Sequence, residues 1–382
     1  MQLSPALAAT GTYPFVRLEA AKRELAAQGV ELIDFGKGDP REPTDERIRR
    51  ALADSLTEIS TYPLAEGLPE LRSAVAGWCT RRFGVTLDPD TEIVPTYGSK
   101  EAIFLLAQVV VDRDSDRRLV ITTEPGYPVP DRGALFAGAE VMQLPLLEEH
   151  GFVPDLDAVE PGVWERAAIV WINYPNNPTG AVAPLESLGR LADLSAEHGF
   201  LLASDEAYTE LWFDEPPHSA LEVRERGIVA VFNTLSKRSS MTGYRSGFVA
   251  ADAELIAALK QFRPSVGTAP QEFVQLASVV AWNDEEHVER TREAYRRKRE
   301  ALLPTLERKS IRLAGSTATM FLWLEVPGGE TSEGLASRLL QHGLIVSPGT
   351  FFGPAGDGYW RMALVPTEDE CRRAAAILDD VL

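Results

Sequence analysis

The chain of 382 residues is 45% hydrophobic, ordinary for a globular protein and long enough for two or three domains' worth of core. Its formal charge of -19 repels phosphate backbones and anionic membrane surfaces, so neither nucleic acid nor membrane is an expected partner, although a small anionic ligand can still use a local basic pocket. Two cysteines, Cys79 and Cys371, exclude a disulfide framework and fit a reducing cytoplasm, and the five histidines are scattered, so no metal site is expected.

The first residues, MQLSPALAATGTYPF, lack a basic leader and a continuous apolar stretch, and no apolar run approaches the ~20 residues a membrane span requires. Helical spacing through Phe15, Leu18, Ala21 and Leu25 is followed by the apolar run Leu32 to Phe35 and the turn Gly36-Lys37-Gly38-Asp39-Pro40. Such a turn suits either a close backbone approach to a ligand or a plain connection. Helical spacing returns at Ile48, Leu52 and Leu56, and Tyr62 falls in the loop before the next helix. The short strand Ile93 to Thr96 leads into Tyr97-Gly98-Ser99-Lys100-Glu101, where Ser99 is expected to cap an apolar helix through Ile103, Leu106 and Val110. Free N–H groups at such a helix start suit a phosphate, and an ordinary capped helix has the same pattern.

Strands and helices then alternate as in a doubly wound α/β sheet: Leu119 to Thr123, a helix ending near Phe136, Val141 to Leu144, Ala168 to Asn173, helix Leu185 to His198, and Phe200 to Ala203. Loops at the strand ends carry Tyr127, Asn177, and the run Ser204-Asp205-Glu206-Ala207-Tyr208. The next strand, around Val229 to Phe232, ends in Asn-Thr-Leu-Ser-Lys, placing Lys237 where open α/β sheets bind ligands. A desolvated amine with cationic neighbours, here Arg238 and Arg245, gives up its proton readily and can form a Schiff base. The Thr234 hydroxyl and Arg245 guanidinium suit a phosphate, and an aldehyde with a phosphate describes pyridoxal phosphate. Past Ala250 come charged amphipathic helices, chiefly about Glu285 to Leu306, strand patterns at Thr319 to Val326, Leu344 to Ser347 and Tyr359 to Val365, and a capping box at Thr367 to Glu370. The expected division is a large domain over 45–285 and a smaller α+β domain from 1–44 with 286–382.

The motifs NNPTG, SDEAY, TLSK followed by GYRSG, and WRMAL, in this order, resemble the fold-type-I, aspartate-aminotransferase-like family of pyridoxal phosphate enzymes. The resemblance implies an α/β fold with a mostly parallel seven-stranded sheet in the large domain, and a homodimer with shared active sites. It implies Lys237 as the Schiff-base lysine, Asp205 as partner of the pyridine nitrogen, Tyr208 and Asn177 on the ring hydroxyl, and Tyr127 stacked on the ring. Gly98, Ser99, Lys100 through its backbone, Thr234 and Arg245 would form the phosphate site, with Tyr62 reaching in from a partner subunit. Arg361 would grip the substrate α-carboxylate beside Gly38 and Asn177.

The stretches IDFGKGDPREPT, GSKEAIF, LSKRSSMTGYRSGFVA and FFGPAGDGYWRMALVPT most resemble the N-succinyldiaminopimelate aminotransferases of lysine biosynthesis. That resemblance implies exchange of an amino group between glutamate and a succinylated keto acid. The alternatives are an aminotransferase of aspartate, acetylornithine or LL-diaminopimelate, or a C–S lyase on the same cofactor. Both dicarboxylate partners need a second cation, and Arg263 is the candidate, because its segment resembles the place where dicarboxylate-specific relatives keep an arginine that crosses to the neighbouring active site.

Overall fold

The computed structural model describes residues 1, 3–9, 22–23, 27, 29–267 and 269–382, so the helical spacing from Phe15 to Leu25 lies outside the described residues. The apolar runs of the middle of the chain become strands because such runs, buried on both faces, can satisfy their backbone groups only in a sheet covered by helices. In chain order the strands are β1 Ile33–Asp34, β2 Ile93–Thr96, β3 Leu119–Glu124, β4 Glu140–Pro145, β5 Ala167–Asn173, β6 Leu201–Asp205, β7 Val229–Thr234, β8 Gly247–Ala251, β9 Phe321–Glu325, β10 Leu344–Ile345, β11 Ser347–Pro348 and β12 Tyr359–Ala363.

Seven of them form the central sheet in the order β2-β8-β7-β6-β5-β3-β4. It is parallel except at β8, which runs antiparallel to both β2 and β7. Strands β6, β7 and β8 are buried at every position. The register aligns Asn173 with Asp205, so the polar residues that end β5 and β6 emerge side by side at one edge.

The C-terminal part builds a second sheet, antiparallel and ordered β11-β12-β9, while β1 and β10 pair separately in parallel. The single strand expected from Leu344 to Ser347 is therefore divided between two sheets. Residue Val346 lies at the break, and Ser347 already pairs with Arg361. The helix expected from about Glu285 runs from Glu286 to Arg308. Its Lys298 ammonium binds the Glu42 carboxylate and the carbonyls of Leu364 and Val365, and Tyr295 donates to Glu42 Oε2 at 3.0 Å. These buried bonds fasten the chain just after the Gly36–Pro40 turn to the C-terminal part.

The capping box at Thr367 and Glu370 forms as expected. The helix Ser99–Val110 starts differently: Ser99 is its first helical residue and Gly98, at φ 73°, occupies the cap. Glycine accepts that left-handed geometry without the Cβ clash any other residue would meet. No helix among the described residues is long and apolar enough to cross a membrane.

Candidate active site

A cavity of about 350 Å³ opens where the C-terminal ends of β5, β6 and β7 meet the start of helix Ser99–Val110 and the second sheet. Asp205, the last residue of β6, is buried on its floor. Burial pushes its carboxyl up to about 7, opposed by the Ala207 N–H that donates to Oδ1 at 3.3 Å and by the nearby Lys237. Asn173 braces this floor, donating from Nδ2 to the Asp205 carbonyl at 2.8 Å and accepting the Asn177 N–H on Oδ1 at 2.9 Å.

Lys237 lies in the short helix Leu235–Arg238 that follows β7, and its Nζ donates to the Gly38 carbonyl at 2.6 Å. Burial brings its amine down to about 8; Asp39 and Asp205 oppose the fall, while Arg245 and Arg361 assist it. An amine so lowered gives up its proton more readily than an ordinary lysine, which suits a nucleophile or a base. Gly38 approaches closely enough that a Cβ there would lie 2.8 Å from the Phe321 ring.

One end of the cavity collects anion-binding groups. Arg245, itself at φ 56°, donates to the carbonyls of Thr242 at 2.9 Å and Tyr97 at 3.3 Å, and a Cβ on Gly98 would lie 2.5 Å from its Nη2. The backbone thus packs onto the guanidinium at the point where the helix offers its free N–H groups. Ser99 and Lys100 line this end, with Lys100 Nζ 6.0 Å from the centre of the Tyr127 ring. The Thr234 hydroxyl faces the same end but also accepts the Ser236 N–H at 3.1 Å and lies 2.9 Å from the Ser246 carbonyl. At the other end the buried Arg361 guanidinium donates to Asn177 Oδ1 at 2.7 Å and the Gly36 carbonyl at 2.8 Å. It lies 4.2 Å and 4.5 Å from the centres of the Phe321 and Phe352 rings. Tyr208 meets Phe321 edge-on.

Lys237, Asp205, Tyr208, Asn177, Tyr127, Ser99, Lys100, Thr234, Arg245, Arg361 and Gly38 thus share one cavity, with Gly98 directly behind it. Two arginines do not face this cavity of their own chain. Arg263 does not line the cavity: it is buried, donating to the Pro95 carbonyl and to Glu101 Oε2, because the last turn of its helix faces back onto β2. Nor does Arg238 add to the field around Lys237. One residue along the helix its side chain turns the opposite way, between Trp78 and Trp282, and binds the Ala281 carbonyl and Glu285. Arg361 supplies the second positive charge instead. Tyr62 is 98% exposed and lies outside the cavity of its own chain. Sequence reading missed Asn173, Asp39 and Phe321. The hydrophilic end of β5 hinted at the first, whereas nothing local marks Phe321, which arrives from the second sheet.

Residues 30–378 match the model of the aminotransferase class I and II family. The chain belongs to that family. This aminotransferase is 41% identical to the LL-diaminopimelate aminotransferase of Aquifex aeolicus, with 93% of each chain covered. Its fold is similar to that of a probable N-succinyldiaminopimelate aminotransferase from Thermus thermophilus, at a TM-score of 0.89 and 31% identity, covering 96% of this chain and 100% of that one. The aspartate aminotransferase of Thermus thermophilus solved with maleate matches at a TM-score of 0.89 and 32% identity over the whole of both chains. Class I and II aminotransferases depend on pyridoxal phosphate, and the cavity suits that group: the buried carboxylate, the loosely protonated lysine and the glycine-lined arginine and helix start match its ring nitrogen, aldehyde and phosphate.

Proposed function

We propose that this aminotransferase moves an amino group between LL-diaminopimelate and 2-oxoglutarate, with the cofactor held by the residues that share the cavity. Bound there, pyridoxal phosphate supplies the electron sink for breaking the substrate Cα–H bond. Lys237 Nζ would carry that proton between the substrate Cα and the cofactor's aldehyde carbon, and ionised Asp205 would hold positive charge on the ring nitrogen. Asn177 and Tyr208 orient the ring hydroxyl, Tyr127 covers the ring, and Ser99, the Lys100 backbone, Thr234 and Arg245 receive the phosphate. Arg361, packed against two rings, offers a bidentate grip on the α-carboxylate that lysine could not match. Tyr62 completes the phosphate site of a second subunit in a homodimer, a reading supported by its exposure. Buried, unbridged thiols at Cys79 and Cys371 suit work in the cytoplasm.

The substrate choice rests on the 41% identity to an LL-diaminopimelate aminotransferase over 93% of the chain. Local charge supports it. Lys37 and Asp39, of opposite sign, flank Gly38 and line the same cavity, which suits the distal zwitterion of free diaminopimelate. An N-succinylated donor brings two distal carboxylates instead, and Arg263 does not line its own chain's cavity to meet them. The succinylated donor remains the second reading, favoured by the Thermus thermophilus structure of that title. Glutamate formation from 2-oxoglutarate, followed with LL-diaminopimelate and with its N-succinyl derivative, separates the two. A higher kcat/KM for the free amine is expected, a preference for the succinylated amine installs the second reading, and turnover of neither overturns both.

A further inference from the structure

Arg263 is among the most deeply buried charges in the protein, 1% exposed, in the last turn of the helix Ala253–Val266. A buried guanidinium is costly to desolvate and needs partners that use its geometry. Two of its partners lie on the approach to the anion-binding end of the cavity. Nη1 donates to the carbonyl of Pro95, near the end of β2, and Nη2 lies 3.4 Å from Glu101 Oε2 in the first turn of the helix Ser99–Val110. The same Glu101 oxygen accepts the Tyr97 N–H at 3.2 Å. From the cavity side, Arg245 Nη2 donates to the Tyr97 carbonyl at 3.3 Å.

The loop between β2 and the helix is therefore gripped by two guanidinium groups, Arg245 on its inner face and Arg263 on its outer face. Between them lies Gly98 at φ 73°, whose left-handed geometry sets the direction of the N–H groups that follow. Arg263, donating to the Pro95 carbonyl, and Glu101, accepting the Tyr97 N–H, supply the outer bonds that fix this loop.

We propose that Arg263 is a positioning residue for the cofactor phosphate: it holds Pro95 to Glu101 so that the N–H groups at the start of helix Ser99–Val110 converge with Arg245 on one anion. This rests on the reading that the phosphate lies at Ser99 and Arg245. It assigns Arg263 to cofactor retention and removes it from substrate selection.

The test compares binding of pyridoxal phosphate and of pyridoxal, which has the same ring and aldehyde but no phosphate, to the cofactor-free full-length protein by fluorescence titration. Two variants are used: Arg263→Lys, which keeps a charge beside Glu101 but cannot span both partners, and the double variant Arg263→Met with Glu101→Met, which leaves no lone buried charge. Affinity for pyridoxal phosphate is expected to fall about ten- to a hundredfold, as when outer partners of metal ligands are removed, while affinity for pyridoxal is unchanged. Equal losses for both ligands, or no loss for either, overturn the proposal. Arg245→Ala is measured alongside. If it too fails to weaken pyridoxal phosphate selectively, the placement of the phosphate falls and the role of Arg263 with it; if Arg245→Ala is selective and the Arg263 variants are not, only the role of Arg263 falls.

Discussion

Asp205 and Lys237 are perturbed in opposite directions by the same cause, burial, with carboxyl at about 7 and amine at about 8. Burial thus holds each nearer its neutral form than water would, and on the proposed placement of the cofactor each gains a partner in the ring nitrogen or the aldehyde. The linkage has a definite sign. Between about pH 4 and pH 7 the folded chain keeps a proton on Asp205 that the unfolded chain releases, so its contribution to stability is present at the acid end and lost as pH rises through about 7. Glu206, also raised to about 7 by burial, adds to the same slope. Asp205→Asn should therefore flatten the fall in urea midpoint of the cofactor-free protein between about pH 4 and about pH 7, the ends of that window. A slope as steep as wild type would show that Asp205 is ionised throughout. The same variant should lose most of its turnover, since a three-unit fall in the ring nitrogen's pKa would amount to ~4 kcal/mol.

The helix Ser99–Val110 shows what an element contributes that single residues do not. Its free N–H groups reach the cavity only because the chain turns through a left-handed cap at Gly98, pressed against Arg245. Gly98→Ala would meet a backbone cost of roughly 1–2 kcal/mol and a Cβ contact at 2.5 Å that displaces the guanidinium. Gly84, at φ 70°, ends the helix Pro69–Phe83 with nothing within 4 Å of an added Cβ. Gly84→Ala should therefore lower thermal stability without changing affinity for pyridoxal phosphate, whereas Gly98→Ala should lower that affinity as well. Equal affinities in the two variants would mean that the helix start does not hold the phosphate.

On the scale of the whole molecule, the segment around Tyr62 is the odd surface: Leu56, Ile59 and Leu64 are exposed along with it. Apolar side chains clustered on one exposed stretch suit burial against a second copy, and a two-fold pair completes both sites at once. Subunit mixing tests this. Tyr62→Ala and Lys237→Ala proteins, each impaired alone, should regain activity when mixed, because one site of the hybrid combines an intact Lys237 with Tyr62 of the partner subunit. No recovery in a hybrid shown to form by sedimentation would remove Tyr62 from the site.

Much was determined by sequence alone. Apolar runs ending in polar residues marked β5, β6 and β7, because buried strands and their ligand-facing ends differ in composition; Asn173, Asp205 and Thr234 stand where those runs stop. The box at Thr367 was legible because cap chemistry is written within a few residues, whereas the cap of helix Ser99–Val110 is expected at Ser99 and lies at Gly98. Tertiary structure alone decided which way the arginines turn. Arg238 and Arg263 are adjacent to site motifs yet point away, toward tryptophans and toward β2, while Arg361 arrives from a strand of another sheet. The division of Leu344 to Ser347 between two sheets was equally hidden. Composition and spacing encode burial and local geometry, but a long side chain settles where partners distant in sequence can satisfy its charge, and only the packed chain brings those partners together.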